Sequence, residues 1–296
     1  MHDPMPRRAR VFKTVDVFTS IPLLGNPVAV VLDGEGLTTA QMQSVARWTN
    51  LSETTFLLPP TTAEADYRLR IFTPGSELPF AGHPTLGSAF AALEAGRVTA
   101  RHGRLVQECA SGLIPVEVQE DASGLRLALT MPAPTITPLS PADTHELETV
   151  LQQPVRHEYA PAIVDVGAVW LVAELSSPQV LLGLSPDLAH SAALERRLGL
   201  TGVSVYARYP GGQDIEVRSF APSCGINEDP VCGSGNGAVA FHRRFSGALP
   251  DELAAYRSTQ GRQVGRDGQV AITVGQDGRV TVGGACVTCV DGTITI

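Results

Sequence analysis

Arg70-Ile-Phe-Thr-Pro-Gly-Ser-Glu77-Leu-Pro-Phe-Ala81-Gly82-His83-Pro-Thr-Leu-Gly-Ser-Ala89 and Arg218-Ser-Phe-Ala-Pro-Ser-Cys-Gly-Ile-Asn-Glu228-Asp229-Pro-Val-Cys232-Gly233-Ser234-Gly-Asn-Gly-Ala238 are two versions of one pattern. Setting Pro79 over Pro230 pairs Glu77 with Glu228, Ala81 with Cys232 and Gly82 with Gly233. The Arg-x-Phe-x-Pro lead-ins also match, with three extra residues in the second copy. In both, a short apolar run enters a glycine turn and then an alanine-rich stretch that reads as a helix. A duplicated, two-lobed protein is the simplest explanation. Its two equivalent helix starts would present unpaired backbone N–H groups, a natural place for an anion.

Outward from this repeat, the chain of 296 residues is long enough for two ordinary domains. A hydrophobic fraction of 43% and a charged fraction of 18% fit a globular protein with real cores. The net charge of −8 argues against nucleic acid or an anionic membrane as partner. A small anionic substrate would have to be held by local N–H groups against that field. Five cysteines in a chain of this length do not form a disulfide framework, which suggests a cytoplasmic setting. Basic residues near the N-terminus are followed by the alternating run Val11–Phe18, so a strand is expected there rather than a leader peptide. No apolar run approaches the length of a membrane span.

Strands are expected at Val11–Phe18 and Val28–Leu32, and another starting in Leu51-Ser-Glu-Thr-Thr-Phe56. Tyr67–Phe72 alternates as a strand does. A helix over Ala40–Thr49 would be capped by Thr38 or Thr39, and an apolar helix is expected from about Pro84 to Ala95. Met131-Pro-Ala-Pro134 is the linker candidate. Beyond it, Asp143 or Thr144 is the expected cap of the next helix. Val164–Ala173 reads as one buried strand, and Ser185-Pro186 as the opening of a helix to about Leu198. Val203–Arg208 and Ile215–Phe220 read as strands, Gly235–Phe245 as a second apolar helix, and Val270–Val274, Val280–Val287 and Thr293–Ile296 as strands.

Gly25-Asn-Pro-Val-Ala-Val30, Ser52-Glu-Thr54, Glu77-Leu-Pro-Phe-Ala-Gly-His-Pro-Thr-Leu-Gly87, Asp229-Pro-Val-Cys-Gly-Ser234 and Gln260-Gly-Arg-x-Val-Gly265 occur in one order. In these blocks the chain resembles the PhzF-like isomerases of phenazine biosynthesis, a branch of the diaminopimelate epimerase fold. Val231-Cys232 and Asn236 depart from that family's commonest wording. The resemblance implies an α+β fold of two pseudo-equivalent domains, each a mostly antiparallel curled sheet around a central helix, with the active site in the cleft between them. It places an N-terminal domain at 1–131 and a C-terminal domain at 132–284, with the last strands, about 285–296, returning to the first. A homodimer is the family-weighted expectation for the assembly.

The resemblance names Glu53 as acid–base catalyst, moving a proton between two carbons of a cyclic amino acid. Such a carboxylate must be shielded from bulk water, and Leu51, Phe56 and Leu57 can supply apolar cover. Taken alone, Glu53 is an exposed glutamate at a strand start. His83, with a pKa near neutrality, could bind substrate or move a proton; the plainer alternative is a helix-start histidine at a domain seam. Asp229 could orient a substrate ammonium, or simply cap the second helix. Gly82, Gly233 and Ser234 would offer N–H groups and a hydroxyl to a substrate carboxylate. Asn26 could reach the same cleft, or serve only as a turn residue before Pro27.

Cys232 discriminates between chemistries. In the diaminopimelate, proline and hydroxyproline branches two cysteines face each other across the substrate α-carbon, and the position paired with Cys232 here is Ala81. Alanine cannot return a proton, so a two-thiol epimerase is disfavoured. Cys232 reads either as a single reactive thiol or as a small residue lining the cleft. Cys286-x-x-Cys289 lacks a second ligand pair and lies on a strand pattern, where residues three apart face opposite sides. Neither a metal nor a dinucleotide cofactor is expected. The expected activity is a cofactor-independent proton-transfer isomerisation of a small carboxylate. An amino-acid racemase using Cys232 with a non-thiol partner, or a non-catalytic ligand-binding protein, are the alternatives.

Overall fold

Alternation in the first thirty residues builds two paired strands, Ala9–Val17 and Asn26–Val31, in a computed structural model that describes residues 8–122, 124–249 and 254–296. The first seven residues, on which the leader-peptide expectation partly rests, lie outside the described residues. The chain divides into two compact units, Met1–Leu129 with Gly284–Ile296, and Thr130–Gly283. No helix among the described residues is long and apolar enough to cross a membrane.

In the first unit, pairing runs from the final strand Val280–Thr295 to Ala9–Val17, Asn26–Val31, Thr54–Leu58 and Tyr67–Phe72. It continues through Arg104–Cys109 and Gly112–Asp121 to Gly124–Thr130, which pairs back with the final strand and closes the sheet into a barrel. Asn26–Val31 with Thr54–Leu58, and Tyr67–Phe72 with Arg104–Cys109, are parallel pairs; the others up to Gly124–Thr130 are antiparallel. The helix Gly82–Glu94 is enclosed, with Pro84 through Ala92 buried. Gly87 is where it meets the sheet: a Cβ there would lie 2.4 Å from a Val28 methyl. Ser88 and Thr55 share a hydroxyl contact of 2.8 Å, and Gln107 donates to Thr85 at 3.0 Å, so these hydroxyls inside the barrel are satisfied.

The second unit repeats this plan. Its pairing order is Thr135–Pro138, Ala162–Asp165, Val169–Glu174, Gly202–Arg208, Ile215–Ala221, Ala254–Gln260, Gly268–Val274 and the start of Val280–Thr295. The parallel pairs fall at the same two places in the series, Val169–Glu174 with Gly202–Arg208 and Ile215–Ala221 with Ala254–Gln260. The inner helix is Gly233–Phe245, buried from Gly235 to Arg243.

Outer helices cover the sheets. Thr39–Thr49 places Met42, Val45 and Ala46 on Val31, Phe56 and Phe72. Such burial stabilises by roughly 1.5–3 kcal/mol per large side chain. Thr38 caps this helix in a reciprocal capping box with Gln41. In the second unit Pro141–Leu151 and Leu188–Leu198 bury Leu147, Val150, Leu151 and Leu194 against Leu171, Val203 and Phe220.

Several boundaries differ from expectation. Ser140, not Asp143 or Thr144, caps Pro141–Leu151, because its hydroxyl accepts from Asp143 N and leaves Pro141 at the first position, where no N–H is needed. The helix expected from Ser185 is capped two residues later by Asp187, whose carboxylate accepts from His190 N at 3.0 Å. Val164–Ala173 is two antiparallel strands, Ala162–Asp165 and Val169–Glu174, turned by Gly167 at φ +92°. The tail from Val280 to Thr295 is one strand where two were expected.

Candidate active site

Glu53 directly precedes the strand Thr54–Leu58, and its carbonyl accepts from Ala29 N at 3.3 Å. The parallel pairing with Asn26–Val31 thus sets Glu53 beside the Asn26-Pro27 end of that strand. The turn before Asn26 is forced: a Cβ on Gly25 would lie 2.4 Å from the Val17 carbonyl. His83 is the second residue of the enclosed helix, and its Nε2 lies 3.4 Å from Glu53 Oε2. Both side chains are largely buried. Burial pushes the His83 pKa down to about 4, and a hydrogen bond to the Pro27 carbonyl pulls part of the way back. His83 Nε2 has no hydrogen-bond partner, so the bond to Pro27 runs through Nδ1. A carbonyl only accepts, so Nδ1 carries the single proton of the neutral ring and Nε2 offers its lone pair towards Glu53.

The helix start itself, Ala81-Gly82-His83, has no side-chain cap.

In the second unit, Asp229 ends the short strand Ile226–Asp229 and accepts from Val231 N at 3.0 Å. Burial pushes its carboxyl up to about 6, Glu228 adds to this, and the bonds to Val231 and Cys232 oppose it. Asp229 does not cap the following helix. Cys232 holds the cap position, and its sulfur accepts from Gly235 N at 3.3 Å. Ser234 Oγ lies 3.6 Å from that sulfur and accepts from the Trp170 indole N–H at 3.1 Å. An indole nitrogen only donates, so the Ser234 hydrogen is left to point elsewhere. Gly233 opens the helix, and Gly235 is required because a Cβ there would lie 2.5 Å from Ser204 Oγ.

The two units can be compared residue by residue through their registers. Thr54 pairs with Phe72, and Val203 with Phe220. The two phenylalanines hold the same place in the repeat, so Glu53 corresponds to Gly202. A Cβ at Gly202 would lie 2.2 Å from the Phe220 carbonyl and 2.8 Å from the Trp170 ring, which leaves no room for a carboxylate. A carboxylate therefore stands at this position in one copy, and the position is closed in the other.

Within the first unit Glu53, His83 and the Asn26-Pro27 turn come together; within the second, Asp229, Cys232 and Ser234 do. The supports Pro27, Trp170, Asn236 and Gln260 carried no role in the sequence reading. Gln260 stood in a quoted motif, but only its hydrogen bonds show what it holds. Cys286 and Cys289 are free thiols on the final strand, and burial pushes the Cys286 thiol up to about 12.

Residues 15–292 match the model of the phenazine biosynthesis-like proteins. "Antisense-enhancing sequence 1" of Schizosaccharomyces pombe is 38% identical over 95% of this chain and 97% of its own length. The trans-2,3-dihydro-3-hydroxyanthranilate isomerase of Pseudomonas fluorescens is 35% identical over 85% of this chain and 86% of its own. A crystal structure of a PhzF-family protein from Bacillus anthracis superimposes with a TM-score of 0.87, covering 98% of this chain and all of that one at 23% identity. The order of motifs, the closed sheet around a buried helix and these matches agree: the chain belongs to the phenazine biosynthesis-like (PhzF) protein family.

Proposed function

We propose that this chain is a proton-transfer isomerase acting on a small carboxylate of the cyclic amino-acid kind, with Glu53 carrying the proton. The contact of 3.4 Å between Glu53 Oε2 and His83 Nε2 is the observation on which this reading rests. An ionised Glu53 takes a proton from one substrate carbon, and the electron pair shifts through the adjacent double bond. The protonated Glu53 then donates to the far carbon, so one group serves as base and acid in turn. Neutral His83 supports the protonated state by accepting from the Glu53 hydroxyl at Nε2. Asp229, Gly82, Gly233, Ser234 and Asn26 are the groups proposed to bind the substrate.

The closed position at Gly202 supports a one-base mechanism, as does Ala81 in the place that pairs with Cys232 in the repeat. Inversion at a single carbon usually needs groups on both faces; moving a proton between carbons on one face needs a single carrier. The Pseudomonas fluorescens relative, named for isomerising trans-2,3-dihydro-3-hydroxyanthranilate, supplies the first compound to try. A second reading, racemisation through Cys232, draws support from the Gly235 N–H donated to the sulfur, which favours a thiolate.

The test is deuterium incorporation from heavy water into that compound and a panel of small amino and hydroxy acids, followed by NMR. Glu53→Gln should lower exchange by about 10²- to 10⁴-fold with the fold intact. Full exchange by that variant would sink the assignment; loss of exchange in Cys232→Ser with Glu53 dispensable would move the chemistry to the thiol. Ligand binding with no exchange by the wild type would leave a binding protein.

A further inference from the structure

Around Asp229 the chain is tied by one buried amide. Gln260 is the last residue of the strand Ala254–Gln260 and is fully buried. Its Oε1 accepts from Cys232 N at 3.1 Å and from Asn236 Nδ2 at 2.8 Å, while its Nε2 donates to the Asp229 carbonyl at 2.9 Å. Asn236 also donates to the Cys232 carbonyl at 2.9 Å. The residues following Gln260 press on the same turn. A Cβ on Gly261, at φ +103°, would lie 2.3 Å from the Pro230 carbonyl, and one on Gly268 would lie 2.3 Å from Val231.

We propose that Gln260 is a positioning residue, a clamp that fixes the spacing and orientation of Asp229 and Cys232 across the turn between them. Both ends of the turn hang on one planar group, so the Asp229 carboxyl and the Cys232 cap cannot shift independently. The clamp belongs to one copy of the repeat. Gln260 pairs with Val217, and counting from the shared arginine the first unit carries Cys109 at that register position. The value of the clamp to catalysis rests on the isomerase reading; the clamp itself does not.

The test uses the full chain and two variants. Gln260→Leu removes all three bonds. Gln260→Met keeps the length and the burial but loses the amide and its bonds without adding a charge, and serves where the leucine variant does not fold. The Asp229 carboxyl is followed by carbon NMR against pH, and Cys232 by its rate of alkylation with iodoacetamide. Gln107→Leu is the control, since Gln107 is an equally buried amide bonded to Thr85 in the first unit.

Both Gln260 variants should move the Asp229 titration by about one pH unit towards the ordinary carboxylate range. They should also raise the Cys232 alkylation rate by about tenfold as the cap loosens. The control should lower stability and move neither. Unchanged titration and alkylation in both Gln260 variants, or the same changes in the control, would overturn the proposal. On any compound that the wild type exchanges, kcat should fall by about 10- to 100-fold in the Gln260 variants. A wild type that exchanges nothing sinks the isomerase reading, while the titration still decides on the clamp.

Discussion

His83 enters the folded state as a neutral ring because burial pushes its pKa from 6.5 to about 4. The unfolded chain keeps the ordinary value, so on acidification it binds the proton first. Stability is full above pH 6.5 and is lost as pH falls towards 4, by roughly 3 kcal/mol over the window. Asp229 has the opposite sign: its raised pKa makes the folded state hold its proton longer, so it favours folding at acid pH and loses that advantage as pH rises towards 6. Urea unfolding at pH 7 and near pH 4 should therefore show a smaller acid loss in His83→Gln than in the wild type. An equal loss in both would mean that His83 is not the buried neutral base that its contact with Glu53 requires. The helix start at His83 was legible in the sequence, but the contact and the burial were not. Glu53 and His83 are thirty residues apart there, and their meeting depends on a parallel strand pair that only the fold supplies.

At the level of elements, the repeat reproduces an ion pair as well as a pattern. Arg70 bonds Glu77 through two nitrogens at 2.7 and 2.6 Å, and Arg218 bonds Glu228 in the same way at 2.9 and 2.8 Å. Their surroundings differ. The first pair has side-chain exposures of 24% and 36%, the second 6% and 10%, and Arg218 also donates to the carbonyls of Leu181 and Leu184. Arg70→Met should cost no more than about 1 kcal/mol, as an exposed pair does. Arg218→Met should cost about 3–5 kcal/mol, because it strands a buried carboxylate and two carbonyls. Equal losses in denaturant titrations would refute the distinction. The periodic elements were read correctly from apolar spacing: Tyr67–Phe72, Val203–Arg208 and both inner helices. The caps after Ser140 and Asp187 were misplaced, since several residues in each stretch can accept the same N–H and the packing of the helix chooses among them.

Across the whole molecule, the duplication was visible in two short motifs, but the strand series from Arg104 to Pro138 was not. Arg104–Cys109 and Thr135–Pro138 are partly exposed and alternate weakly; Leu125, Leu127 and Leu129 do repeat at strand spacing, but one such run does not announce a series. The common order of parallel and antiparallel pairs shows that each copy builds the same curled sheet, and the closed position at Gly202 shows where the copies diverged. One strand, Val280–Thr295, passes from the second unit into the first. Its last part runs beside Ala9–Val17 from Cys286 to Thr295 and completes the first barrel. A chain ending at Gly283 would leave Ala9–Val17 with an open hydrogen-bonding edge next to buried Val15 and Val17. The second unit loses none of its own residues by that cut. Calorimetry of the shortened chain should show the transition of the first unit lost and that of the second retained. Retention of both would mean that the returning strand is dispensable, and disappearance of both would mean that the two units fold as one cooperative body.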